Sequence, residues 1–338
     1  MKLYGGIDLH SNNSVFSIKD QTGDVMARRK LPNDLTQIFH FLEPYKKQLT
    51  GLVVESTFNW YWLVDALNEA KFEVHLANTA AIQQYSGLKY ADDNSDADWL
   101  AEMLRLGVLP EGYIYPKEQR TVRDLMRKRM QLVQQATQNL LSIQGLYMRH
   151  LSYKMSNNKI KQLTPEEITT HFSSTNTAQA TICNLTVMKC LKEQIKLLEK
   201  VVLTQVKLTA DFQQLTSIDG IGNILALTIM LETGDIQRFN KVGNYASYCR
   251  CIGGARYSNG KKKGKTNSKN GNKYLAWAFV EAANFAIRYN KTVKSYYQRK
   301  LAKTNQTVAI KTVAHKLARA CFYVLRDKVP FNAEKAFC

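Results

Sequence analysis

The sequence predicts a mixed α/β domain at the front of the chain and mainly helical structure behind it, and three observations carry that expectation. Short apolar runs bounded by turn residues crowd the first third. Long stretches with apolar residues at three- and four-residue intervals fill the rest. The charge also changes sign between the two parts. Residues 1–116 hold 10 Lys+Arg and 15 Asp+Glu, whereas residues 117–338 hold 37 and 13, so the net charge of +19 divides into −5 and +24.

Residues 2–9, 14–20 and 24–31 read as three short strands, with turn chemistry at "HSNNS" and "DQTGD". "DLTQIFHFLEPYKK" follows with helical periodicity behind an Asp cap. "LTGLVVEST" is a buried strand, "NWYWLVDALNEA" a helix and "FEVHLAN" a further strand. A meander followed by alternating helix and strand makes a mixed sheet flanked by helices. The acidic run "YADDNSDADWL" then opens another helix.

From Pro116 to about Leu151 the pattern is long, basic and helical, and a polar stretch, "SYKMSNNKIKQLTPEE", interrupts it. A second long helix covers roughly 176–208. The pair suits an antiparallel hairpin or a coiled coil for self-association. Gly220 and Gly222, in "LTSIDGIGNILALTIMLETGD", resemble the turn of a helix-hairpin-helix, whose backbone N–H groups can meet a phosphate. A basic segment follows, with Arg256, Lys261, Lys262, Lys263, Lys265, Lys269 and Lys273 and no acid among them. Two apolar helical segments complete the chain. Three regions result: 1–116, 117–208 and 209–338.

Composition narrows the function. Hydrophobic content of 45% supports real cores and excludes a disordered basic protein. No apolar run is long enough to span a membrane, and "MKLYGGIDLH" reads as a strand rather than a signal peptide. The six cysteines lack zinc-finger spacing, so reduced thiols in a cytoplasmic protein are the expectation. The segregated positive charge points to a polyanion, above all nucleic acid, bound by displacing counterions from phosphates.

Chemistry concentrates on carboxylates. Asp8 ends one apolar strand and Glu55 another, while Asp93 and Asp96 stand three apart at a helix start and so share a face. Each alone has an ordinary use as a cap or a surface ion pair. If the first and fourth strands are neighbours, Asp8 and Glu55 meet, and the acidic helix adds its pair. Four converging carboxylates repel unless divalent cations sit between them, and hard oxygen ligands suit Mg²⁺ or Mn²⁺. Two such ions can activate oxygens at a phosphodiester.

In this order the residues resemble the DEDD transposases of bacterial insertion sequences. "GIDLH" carries Asp8, "VVEST" carries Glu55, and "DDNSDADWLAEML" is similar to the family's D-x-x-D-A segment, with Asp93 and Asp96 as the pair and Asp92 one residue away. The likeness extends to "LTSIDGIG" and "RYSNGKKKGKTNSKNGNKYL". It implies an RNase H-like (RuvC-like) front domain, a helical middle for nucleic-acid binding and oligomerisation, and a C-terminal transposase domain with a serine nucleophile. It also implies Mg²⁺, DNA and a bridge RNA as partners, and a homodimer or homotetramer. The nucleophile carries onto Ser258, with Ser268 in reserve. The family usually has Gly-Leu-x-Pro ahead of the serine, whereas this chain has Cys251-Ile252-Gly253-Gly254-Ala255-Arg256.

Other readings compete. A metal-dependent nuclease such as a junction resolvase would use water as nucleophile, but needs no large basic serine-bearing domain. A DNA invertase of the same family would share every residue named. A sugar-kinase-like ATPase fits "GIDLHSNNSVFSI", yet its second Gly-rich phosphate loop is missing. A non-catalytic nucleic-acid-binding protein leaves the carboxylates without a purpose.

Overall fold

The computed structural model describes residues 1–82, 93–206, 209–265 and 270–337. The chain divides into two compact units, Met1–Lys117 and Glu118–Cys338.

The first unit is built on five strands, β1 (Leu3–Leu9), β2 (Asn13–Asp20), β3 (Val25–Pro32), β4 (Leu49–Glu55) and β5 (Val74–Ala77). Their order is β3-β2-β1-β4-β5, with β1 antiparallel to β2 and parallel to β4. The turn after β2 closes on Asp20, whose carboxylate accepts from the backbone N–H groups of Thr22, Gly23 and Asp24, with Gly23 at φ +100°. Asp34 caps α1 (Leu35–Leu42) by accepting from the Gln37 N–H. The helices α2 (Tyr61–Glu69) and α3 (Asp93–Arg105) complete the unit.

Alternation along the strands decides which helix each face receives. Leu3, Ile7 and Leu9 of β1, with Leu52 and Val54 of β4, pack on Ile38 and Leu42 of α1 and Leu63, Val64 and Leu67 of α2. The opposite parity faces α3: Val53 and Ala77 pack there with Leu100 and Met103. Gly6, Asp8 and Glu55 share that parity. A Cβ on Gly6 would lie 2.0 Å from the Ala97 carbonyl oxygen and 2.6 Å from the Ala101 nitrogen. The helix therefore rests backbone-on-backbone against the central strand. Two ion pairs fasten it to the strands, and a third lies within the helix. Asp98 accepts from the Ser17 hydroxyl (2.5 Å) and from both Nε and Nη2 of Arg28, Glu102 accepts from Lys19 Nζ (3.1 Å), and Glu102 also pairs with Arg105.

The second unit opens with α4 (Lys117–Leu151), α5 (Asn157–Gln162), α6 (Pro165–His171) and α7 (Thr175–Val206). The polar stretch expected only to break the helices folds into the two short ones. A capping box at Thr164 and Glu167, with Pro165 in the first turn, starts the second of them. The long helices pair within the chain: Ala136, Leu140, Ile143 and Tyr147 of α4 share a core with Leu185 and Met188 of α7. Apolar residues on their outer faces, including Leu141, Met148, Val187 and Leu197, stay exposed.

The rest of the unit comprises α8 (Ala210–Thr216), α9 (Asn223–Thr233), α10 (Val242–Tyr248), the hairpin strands β6 (Ala255–Ser258) and β7 (Lys261–Lys265), α11 (Lys273–Tyr289), α12 (Lys291–Leu301), α13 (Gln306–Asp327) and α14 (Ala333–Phe337). Its core draws on Leu227, Phe279, Leu317 and Phe322, and takes in Met126 of α4 and Val202 of α7. Among the described residues no helix is long and apolar enough to cross a membrane.

Replacing Gly6 by Ala should push α3 off the sheet, because the atoms in the way are backbone and cannot rotate aside. The expected cost is about 1–3 kcal/mol, as for other overpacked sites. Hydrogen exchange checks it: amide protection in Asp93–Arg105 should fall while protection in α7 is unchanged.

Candidate active site

The register of β1 on β4 pairs Ile7 with Val54, so the next residues, Asp8 and Glu55, leave the sheet side by side at the same end. Asp8 is 3% exposed. Its Oδ2 is buried without an aligned hydrogen bond, although His10 Nε2 lies 3.2 Å away. Burial, a hydrogen bond with Asp8 and repulsion from Asp8 and Asp96 push the Glu55 carboxyl up to about 8. Three of the four expected carboxylates thus converge. Asp93 opens α3 one turn before Asp96; its side chain, and all of Asp92, lie outside the described residues.

Among the described residues no three His, Cys, Asp or Glu side chains are grouped closely enough to hold a metal ion. The donor chemistry nonetheless suits a hard divalent cation. An unsatisfied buried carboxylate oxygen and a carboxyl that keeps its proton because it is buried beside other carboxyl groups are both relieved by positive charge. Asp98, which shares the acidic run, has the other fate. It is spent on Ser17 and Arg28 and holds the helix in place.

Ser258 is exposed at the end of β6, and it pairs with Lys261 across a two-residue turn. Asn259 at φ +49° and Gly260 at φ +71° give the turn the left-handed conformation that matches strand twist. The segment read as a basic loop is therefore a hairpin, and "SNGK" is the signal that marks it. Lys261 and Lys263 are exposed on it, and Lys273 lies beyond it with Nζ 5.2 Å from the centre of the Tyr274 ring. Arg256, Lys262 and Lys265 have described backbones only, and Ser268 and Lys269 fall outside the described residues.

Gly220, at φ +93°, closes against α11, where a Cβ would lie 2.5 Å from the Ala282 oxygen and 2.6 Å from the Ala286 nitrogen. Gly222 caps α9 with open space around it.

The residues that anchor the hairpin carry no motif. Glu232, 2% exposed on α9, accepts from Arg123 Nε (3.1 Å), Arg127 Nε and Nη2 (2.6 and 2.8 Å) and Asn272 Nδ2 (2.7 Å). Burial alone would raise its carboxyl, but the Arg127 bond and the charges of Arg123 and Arg127 outweigh it and hold it below the ordinary range. Asn272 also caps α11 by accepting from the N–H groups of Tyr274 and Leu275, and its own N–H donates to the Tyr248 carbonyl. Arg250 Nε donates to the Gly271 carbonyl. Both ends of the hairpin segment are fixed in this way. The one available signal was a single acid inside "NILALTIMLETG", since a carboxylate buried in an apolar helix requires a cationic partner.

A mixed sheet with carboxylates at adjacent strand ends is followed by a helical unit bearing a basic hairpin, and the family profiles that match this chain are those of DNA transposases. The profile described as "Transposase", for DEDD transposases of IS110 elements, matches residues 5–149, and the profile described as "Transposase IS116/IS110/IS902 family" matches residues 212–298. Together they cover well over half of the chain, which belongs to the DEDD transposase family of insertion sequences. The first match spans Asp8, Glu55, Asp93 and Asp96, and the second spans Ser258. No curated protein matches the chain.

Two outcomes are expected. Because folding lifts the Glu55 carboxyl from 4.5 to about 8, the folded state keeps a proton that the unfolded chain loses between those values. Stability contributed by this group is full below about 4.5 and is lost as pH rises through about 8. In metal-free buffer the Tm of the native protein should therefore fall over that window, and Glu55→Gln should flatten the slope. Glu232→Ala removes the carboxylate from buried Arg123 and part-buried Arg127 and should cost about 3–5 kcal/mol in denaturant unfolding.

Proposed function

We propose that this transposase cuts and rejoins DNA through Asp8, Glu55, Asp93 and Asp96 holding Mg²⁺ (or Mn²⁺) and through Ser258 as nucleophile, with a structured guide RNA as partner and a homodimer or homotetramer as the working form. The observation that carries the reading is the convergence of Asp8, Glu55 and Asp96, which leaves Glu55 protonated up to about pH 8 unless a cation joins them.

When bound, Mg²⁺ supplies Lewis-acid stabilisation of charge at the phosphodiester. Asp8, Glu55 and Asp96 would hold the ion, with Asp93, one turn earlier on α3, as the fourth ligand. Ser258 Oγ forms a bond to phosphorus as the bond from phosphorus to the deoxyribose oxygen breaks. The serine proton passes to a base, and the departing oxygen takes one up. The phosphoserine keeps the energy of the broken ester, so a hydroxyl from another strand can displace the serine without a nucleotide cofactor. The exposed setting of Ser258 on a hairpin rich in Lys gives a polyanion access to it. The Gly220–Gly222 turn adds backbone N–H groups for a phosphate, and the net charge of +24 beyond residue 116 suits both DNA and RNA.

The test is a covalent-adduct assay on protein purified with its co-purifying RNA, using labelled element-junction DNA and Mg²⁺ on denaturing gels. A protein–DNA band lost in Ser258→Ala and in Asp8→Asn is the expected result. Loss in Ser268→Ala alone moves the nucleophile. Mg²⁺-dependent cutting without an adduct, undiminished in both serine variants, would replace the serine mechanism with a water nuclease.

A further inference from the structure

Phe58 is 85% exposed, the most exposed large hydrophobic side chain among the described residues. It stands three residues after Glu55, on the short connection that leaves β4 at the carboxylate end. That connection is not slack. The Thr57 N–H donates to the Glu55 carbonyl (2.9 Å), and the Thr57 hydroxyl donates to Asn59 Oδ1 (2.9 Å). Asn59 Nδ2 donates to the His10 carbonyl (3.1 Å), which joins the connection to the segment that follows Asp8. Trp60 is buried at 8% and packs edge-on against Tyr61 at 4.5 Å. Residues on both sides of Phe58 are thus tied down while its own ring is held in water, at the rim of the carboxylate cluster.

An apolar ring fixed in solvent is an unfavourable arrangement that a flat apolar partner would relieve. We propose that Phe58 is a stacking platform for one unpaired base of the DNA strand whose phosphodiester lies at the Asp8–Glu55 cluster. This rests on the reading of that cluster as the DNA-cleaving site. A phenyl ring has no donor or acceptor, so it takes the face of a base and not its edge, and the site tolerates any base. The guide RNA and a second protomer are the other occupants of such a ring. DNA is favoured because the tether runs through Glu55 and His10, so the ring moves with the groups that hold the scissile phosphate.

The experiment uses the full chain with its co-purifying RNA and junction DNA in which 2-aminopurine replaces one base at a time, in Mg²⁺ and with the leaving oxygen of the scissile linkage replaced by methylene so that the cluster can hold its ion and no strand is cut. With the native protein, emission should drop at one position beside the cleavage point. Phe58→Ala should restore that emission and weaken DNA binding roughly 5- to 100-fold, in line with the loss of one stacked base. Phe58→Trp should retain both, and Phe58→Leu should lose the quenching. The Tm of all three should match the native value, since the ring is 85% exposed. Unchanged emission and affinity in Phe58→Ala overturns the proposal. So does quenching of 2-aminopurine placed in the RNA but not in the DNA, or a change in oligomeric size on gel filtration with DNA binding intact. Continued cutting by Asp8→Asn with Mg²⁺ would instead refute the carboxylate reading, and the emission result, taken without cleavage, separates the two failures.

Discussion

The contact between Gly6 and the backbone of α3 sets the geometry of the front unit. A helix normally stands off a sheet by the length of the side chains between them. Here the absence of a Cβ at Gly6 brings the Ala97 carbonyl and the Ala101 nitrogen to the strand itself. Asp8 lies two residues along that strand on the same face, and Asp96 precedes Ala97. Close approach at one glycine is therefore what makes three carboxylates neighbours. The pairs from Asp98 to Arg28 on β3 and from Glu102 to Lys19 on β2 act beside it, against rotation about that contact.

The two units treat buried carboxylates in opposite ways. Glu232 is surrounded by Arg123, Arg127 and Asn272, keeps its charge and is committed to structure. Asp8 and Glu55 have each other and a third acid for company, and burial together with that company makes Glu55 hold its proton. One arrangement is satisfied and rigid; the other is unsatisfied and receptive. That contrast separates a structural acid from a functional one more sharply than burial does, since Asp8 and Glu232 are equally inaccessible at 3% and 2%.

Much of this was legible in the sequence, for reasons that differ by element. The sheet was readable because its strands alternate or run apolar between turns, and the adjacency of the first and fourth strands follows from the meander and the crossover. The long helices were readable because 35 and 32 residues give many repeats of one period. What was not legible depended on partners distant in sequence. Glu232 lies 109 residues from Arg123, and no local pattern announces that pair. The hairpin bearing Ser258 was obscured by its own lysines, which lack the apolar alternation of a strand, although Asn259-Gly260 specifies the turn. Asp98 was indistinguishable from its acidic neighbours until Ser17 and Arg28 were seen opposite it. Phe58 carries no sequence signal, because exposure is a property of the folded loop.

The outer strands of the front sheet have a further consequence for assembly. One border, β3, offers solvent the side chains of Arg28, Arg29 and Lys30 and ends on Pro32, which has no N–H to donate. The other, β5, is four residues long and is joined by a bridge from Ala77 to Glu111. A foreign strand approaching the first meets like charges, and one approaching the second finds a short, partly capped ladder. Strand-to-strand growth into fibres is thereby discouraged in a protein that must crowd onto a polyanion. Any joining of copies is left to helical surfaces, whose contacts can form and separate without unravelling the sheet that carries the carboxylates.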